Sequence, residues 1–191
     1  MLYTFTPGAW EDKGLQYAYS WRFERFPQFR QEADCIENNP IPDVENDFDY
    51  MGLMTPERYG PSTTLSVKMR FENLAAPMLL LSWEHELDDE GHVRTLEYYE
   101  IVIWKYGLNV WRHYTNSRVP GHYLTLGAAF SLEESTIHTL KAEILSHRVK
   151  LTVDGGHSLD LYLPDLPESL NLGFCACEGI CGIYDMEIDT P

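Results

Sequence analysis

Two runs of β-forming residues within Glu97–Thr115, joined at Tyr106-Gly107, carry the side chains best suited to chemistry. A residue-plus-Gly pair between such runs marks a two-residue hairpin, because Gly supplies the positive φ that a tight turn needs. Closing the turn there sets Trp104 opposite Asn109, Val102 opposite Trp111 and Glu100 opposite His113. Side chains alternate across a strand, so the hairpin divides into two faces. Tyr99, Ile101, Ile103, Leu108 and Val110, with Arg112 the only charge, form a core face. Tyr98, Glu100, Val102, Trp104, Asn109, Trp111 and His113 form the other. That second face suits a binding surface. Tyr98, Trp104 and Trp111 offer flat apolar bodies for the C–H faces of sugar rings, while Glu100, Asn109 and His113 meet hydroxyls. Glu100 beside His113 is also a carboxylate–imidazole pair fit for proton transfer. Glu84, on the preceding strand, is the candidate second carboxylate, since glycoside hydrolysis usually takes two. Two plainer expectations compete. The long segment 27–61 covers the aromatic face as a second small core, or Glu100 and His113 form only a half-exposed ion pair.

Other chemistry-bearing residues are weaker signals. Cys175, Cys177 and Cys181 follow C-x-C-x3-C, which lacks the paired C-x2-C spacing of structural zinc sites. With Cys35 they read as reduced, buried cysteines acting as small hydrophobes, and no metal site is assigned. Glu86, Asp88, Asp89 and Glu90 form an acidic loop whose oxygens suit Ca²⁺, without the residue order of an EF-hand. A solvated hairpin loop is the plainer reading, and no cofactor is expected.

The elements that must hold these groups are short strands. Leu65, Val67, Met69 and Phe71 alternate with polar residues over Thr63–Glu72. His138–Val153 closes at Ser146-His147, pairing Ile144 with Val149, Ala142 with Leu151 and Leu140 with Val153 on a dry face. The wet face offers Glu143–Lys150 as a cross-strand ion pair. Met1–Thr6, Leu15–Phe26, Pro77–Glu84, Tyr123–Phe130, Leu170–Cys177 and Ile180–Ile188 read as further strands, with short ones at Cys35-Ile36 and Met51–Met54. No stretch keeps a helical period, so about a dozen strands with turn signals predict an all-β sandwich or barrel. One domain over residues 1–191 is the simplest organisation, with the irregular, proline-containing segment near 27–61 carrying the acidic run Asp43–Asp49.

The totals exclude some partners. A formal charge of −16 repels phosphate backbones and anionic lipid, so neither nucleic acid nor a membrane surface is expected. No apolar run nears the roughly 20 residues that span a bilayer, and the start has no basic n-region or apolar h-region. A cytoplasmic protein is the default expectation. Oligomeric state is left open.

The strand sequences carry a resemblance. His138-Thr-Leu-Lys-Ala-Glu-Ile144, Val149-Lys-Leu-Thr-Val-Asp-Gly155, Leu172-Gly173-Phe174 and the closing Ile183-Tyr-Asp-Met-Glu-Ile188, with Tyr99–Trp104 before its turn, resemble a concanavalin A-like lectin/glucanase domain. The resemblance covers residues 63–188 and implies a jelly roll of two curved antiparallel sheets, with Met1–Thr6 beside the closing strand. It implies a ligand face on the outer surface of the concave sheet, where Trp104 and Trp111 are mapped by analogy. Ca²⁺ is common in that superfamily. Glu32, Asp34 and Glu37 match the E-x-D-x-x-E spacing of one laminarinase-like branch. There the motif lies on a central strand, whereas here it precedes nearly every recognisable strand and runs into Asn38-Asn39-Pro40. The expected function is a lectin-like carbohydrate-binding domain. A glycoside hydrolase or polysaccharide lyase of the same fold, and a non-catalytic interaction protein, are the alternatives.

Overall fold

The structure, a computed structural model, describes residues 1–23, 28–38, 50–116 and 118–191. The acidic run Asp43–Asp49 and the question of what residues 39–49 cover lie outside the described residues. Strands dominate: β1 (Leu2–Thr4), β2 (Gln16–Ser20), β3 (Arg30–Gln31), β4 (Ile36–Glu37), β5 (Tyr50–Met54), β6 (Thr63–Glu72), β7 (Met78–Leu87) and β8 (Val93–Trp104). They continue as β9 (Gly107–Tyr114), β10 (Gly121–Ala129), β11 (His138–Leu145), β12 (Arg148–Val153), β13 (His157–Tyr162), β14 (Asn171–Cys177) and β15 (Ile180–Asp189). A single 3-10 turn, Glu11–Lys13, is the one helical element among the described residues.

Two sheets share these strands. The first runs β13-β12-β11-β6-β15-β4-β3, with β1 also on β15. The N-terminal strand thus pairs with the closing strand, Tyr3 opposite Met186. The β11–β12 hairpin takes the register expected from its alternation, Ile144 opposite Val149 and Leu140 opposite Val153. Glu143 stands opposite Lys150, but its carboxylate goes to Lys141 on its own strand, 3.0 Å away.

The second sheet contains β10-β9-β8-β2-β5-β14-β7, and β7 also pairs with β8. The long strand β8 carries β7 along one edge. Its other edge is shared end to end: β9 pairs with Tyr98–Trp104 and β2, in parallel, with Val93–Thr95. Because β2 pairs with β5, β5 with β14 and β14 with β7, the path β8-β7-β14-β5-β2 returns to its starting strand. Part of this sheet is therefore rolled into a closed ring, and β9 and β10 flare from it.

That ring explains why the two larger cores of the described residues are separate. The main one lies between the sheets and takes Tyr99, Ile101, Ile103, Leu108 and Val110 with Leu65, Val67, Met69, Leu140, Leu151 and Ile188. The second lies on the other face of the rolled sheet and takes Tyr50, Met78, Leu80, Tyr98, Val102, Cys175 and Cys177. Glycine makes the closure possible at two places. A Cβ on Gly52 would stand 2.4 Å from both Cys175 Sγ and the Phe174 carbonyl oxygen, and one on Gly173 would stand 2.3 Å from the Leu53 carbonyl oxygen. All four cysteines are free thiols in buried positions. Burial pushes the Cys181 thiol up to about 12 and Cys35 to about 11, so they pack as neutral groups.

The β8–β9 hairpin closes two positions away from the register expected of it. Trp104 pairs with Gly107, leaving Lys105 and Tyr106 as the turn, and neither has a positive φ. Gly107 serves another purpose: a Cβ there would stand 2.0 Å from the Ala128 carbonyl oxygen of β10. Gly107 also has φ 139°, so its own backbone and the neighbouring strand both call for glycine there, although it lies just past the turn. A shift of two positions keeps every side chain on its face, so the two faces are as the alternation predicts.

Candidate functional site

Where β9 and β10 flare from the ring, the sheet opens into a cleft of about 350 Å³. Trp104, Asn109 and Trp111 line it from β8 and β9, and His122 from β10. Glu100, Val102, Tyr50 and Cys177 line it from the ring strands, with Arg22, Phe23 and Glu178 also contributing. Trp104 and Trp111 are half-buried rather than enclosed. Trp111 packs on the second core and Trp104 stands edge-on to Tyr106 with ring centres 5.0 Å apart.

Glu100 is the buried polar centre of this cleft. It is 7% exposed, and Tyr50 Oη donates to its Oε1 at 2.8 Å. The shifted register puts Glu100 opposite Trp111, and puts His113 opposite Tyr98. The expected pair still meets on the diagonal, with His113 Nε2 2.8 Å from Glu100 Oε2. That contact is out of line for a hydrogen bond, and neither ring nitrogen of His113 has a hydrogen-bond partner. His113 sits within a row of rings across β8, β9 and β10. Tyr98 stacks on it at 4.4 Å and 5°, and His122 at 5.4 Å and 10°. Burial first, then the nearby Arg22 guanidinium, hold the His122 imidazole below its usual pKa, so it is neutral at pH 7. Burial raises the Tyr50 phenol well above its usual range, which keeps it a hydrogen-bond donor to Glu100.

The structure separates the other expected site residues. Tyr98 is fully enclosed and bonded to Ser20, so it is a core ring and presents no face to a ligand. His113, at 1% exposure, lies behind Glu100 rather than in the cleft. Glu84 is exposed and does not line the cleft. Register shifts on both sides of it break the alternation that would have aimed it toward Glu100, and it faces Glu97 instead. Glu32 and Glu37 are tied into ion pairs in the first sheet, Glu37 with both Arg30 (2.8 Å) and Arg70 (2.6 Å). In the acidic loop, Asp88 accepts the backbone N–H groups of Glu90 and His92 at 3.0 and 2.8 Å. Among the described residues no group of three or more His, Cys, Asp and Glu side chains is placed to hold a metal ion.

Glu178 is one of the cleft residues that sequence reasoning missed, with Arg22, Tyr50 and His122. It forms the β14–β15 turn with Gly179, at φ values of 58° and 38°. Asn38 Nδ2 donates to the Gly179 carbonyl at 2.8 Å and to that of Glu178 at 3.4 Å, which fixes the turn. A residue-plus-Gly pair between two strands was the available signal, the same one read at Tyr106-Gly107. Burial raises the Glu178 carboxyl above its usual pKa although its side chain reaches the surface.

A second, polar cavity of about 460 Å³ lies on the main-core side of the hairpin, lined by Trp83, Arg112, Tyr114, Asn116, Tyr123 and Asp165. Its cation is already committed. Arg112 pairs with buried Glu97 at 2.5 Å, reaches Asp165 at 3.4 Å and lies over the Trp83 ring at 4.5 Å. Glu97 also accepts the backbone N–H groups of Thr115 and Asn116, so the pair anchors the segment that follows β9.

No family model matches the chain, and no curated protein is similar to it in sequence. Solved structures are similar in shape. A protein of unknown function with a galectin-like fold from Bacillus subtilis superposes with TM-score 0.70 at 10% identity, over 100% of this chain and 94% of that one. The carbohydrate recognition domain of Emp47p gives 0.67 at 12%, over 99% and 94%. A glycoside hydrolase family 16 endo-glucanase from Bacteroides ovatus gives 0.64 at 8%, over 99% of both chains. At these identities the likeness speaks for the fold, and the fold of this chain is a concanavalin A-like jelly roll.

Proposed function

We propose that the cleft at the flare of the rolled sheet binds carbohydrate. The observation that carries this reading is the company of Trp104 and Trp111, half-buried, with Asn109 and the buried carboxylate of Glu100 in one concavity. Flat rings take the apolar face of a sugar, and a few fixed polar groups select its hydroxyls. The carbohydrate-binding and carbohydrate-cleaving structural neighbours support the class of ligand. Titration of intrinsic tryptophan fluorescence with soluble oligosaccharides tests it. A saturable change is expected, and Trp104→Ala and Trp111→Ala each weaken it by about tenfold or more, as loss of a stacked ring's buried area requires. A flat titration across neutral, acidic and amino-sugar oligomers would remove the reading.

One observation favours a second reading, glycoside hydrolysis. Glu100 and Glu178 line the same cleft, and the latter is held toward its protonated form. Glu178 would give its proton to the glycosidic oxygen as that carbon–oxygen bond breaks. Glu100 would take a proton from the water that forms the new bond at the anomeric carbon. Release of reducing ends that disappears in Glu100→Gln, with binding retained, is the outcome expected of a hydrolase. Binding without such release leaves a lectin-like domain.

A further inference from the structure

The charges of the cleft point to a narrower ligand class, an inference that rests on carbohydrate binding at this site. Among its described residues, two carboxylates, Glu100 and Glu178, and one guanidinium, Arg22, line the cavity, and His122 adds no charge at neutral pH. Neither Glu178 nor Arg22 forms an ion pair among the described residues. Among the described residues Glu100 takes a hydrogen bond on one oxygen, from Tyr50 Oη to Oε1. Its other oxygen lies against His113, whose 1%-exposed ring has no hydrogen bond from either nitrogen. Arg22 instead lies over the Phe23 ring, 5.5 Å from its centre. The described residues of the cleft therefore hold more negative than positive charge, in a chain whose net charge is already −16.

A uronic acid would bring a third carboxylate into this cavity and pay for it in repulsion. A neutral sugar would leave Glu178 without an ion partner. A sugar with a free ammonium answers both deficits, because a charge-assisted hydrogen bond is roughly twice as strong as a neutral one. The lining is suited to such a ligand: Trp104 and Trp111 offer flat faces to the sugar, and Glu100 and Glu178 line the same cavity. We propose that this cleft selects amino sugars with an unmodified ammonium group over their N-acetylated and uronic counterparts.

The test compares binding of a β-1,4-linked glucosamine pentamer, the N-acetylglucosamine pentamer and a galacturonate pentamer by calorimetry on the whole chain near pH 7. About tenfold or more tighter binding of the glucosamine pentamer is expected, which is what one extra charge-assisted contact gives. The preference should shrink with added salt. It should also disappear in Glu178→Gln, a surface change that leaves the sheet intact. It should persist in Glu187→Gln, which removes an exposed carboxylate from the first sheet and so controls for overall charge. Equal affinity for the acetylated and free pentamers, tighter binding of the galacturonate, or equal loss of preference in both variants overturns the selectivity while leaving carbohydrate binding in place. Binding of none of the three overturns both.

Discussion

Glu97→Ala is expected to lower stability by about 3–5 kcal/mol, the cost of leaving one partner of a buried ion pair uncompensated. Glu97 is fully enclosed and Arg112 is 4% exposed, so water cannot take over for the missing carboxylate. The loss is compounded because Glu97 also accepts the N–H groups of Thr115 and Asn116. Arg112→Met strands the opposite charge and should cost a similar amount. Replacing both residues together, as Glu97→Leu with Arg112→Met, should recover much of the loss, since a matched apolar pair carries no desolvation penalty. Urea midpoints of the three variants decide the matter. By contrast, Arg148 and Asp160 are each more than half exposed, and breaking that pair should cost under about 1 kcal/mol. An unchanged midpoint for Glu97→Ala would mean that the Glu97–Arg112 pair is hydrated in solution.

Gly173→Ala is the second large effect. The added methyl would stand 2.3 Å from the Leu53 carbonyl oxygen and 2.9 Å from Met54 Cα. These are backbone atoms of the paired strand β5, so no side chain can turn aside, and β14 must lift from its neighbour. Overpacking of this kind costs about 1–3 kcal/mol and sometimes more, and the upper end is expected here. For a chain of this length that is a fall in Tm of about 6–12 °C. Gly60→Ala is the matched control, since its methyl would meet only the Glu168 carbonyl oxygen at 3.5 Å. Strand β14 also carries Cys177 into the cleft and leads to Glu178, so Gly173→Ala should weaken ligand binding as well. Equal melting temperatures for the two variants would show that β5 and β14 are more loosely joined than their spacing indicates.

The sheets were legible because alternation of apolar residues leaves only one arrangement that buries them. It placed β6, β11 and β12 closely and divided the β8–β9 hairpin into its two faces. Alternation has a period of two, so it could not see an error of two positions in that hairpin's pairing register. Gly107 invited the error: a glycine required by a strand packed beside it looks, in sequence, like a glycine required by a turn. The same limit explains the site. Glu100, Trp104, Asn109 and Trp111 were found because one strand pair brings them together. Tyr98 shares their face, but the sheet rolls over it, and no local pattern records that closure. Glu84 is a carboxylate on the neighbouring strand, and the register shifts on both sides of it leave it outside the cleft. Arg22, Tyr50, His122 and Glu178 come from four distant stretches of the chain, and only the ring assembles them.

The ring also has a bearing on how the protein reaches this state. Its seams join Ala18 to Val93 and Gly52 to Cys175, contacts between residues far apart along the chain. Loops that long must be closed before any such seam forms, which places the molecule among slow folders. During synthesis β2, β5, β7 and β8 all emerge before β14, so they wait with an unfilled gap and unpaired edges. The wall that carries Glu178 arrives last, and until it docks there is no cleft to occupy. A ligand can therefore hold the finished fold together but cannot template its early stages, and the interval before β14 docks is when this chain is most exposed to edge-to-edge aggregation.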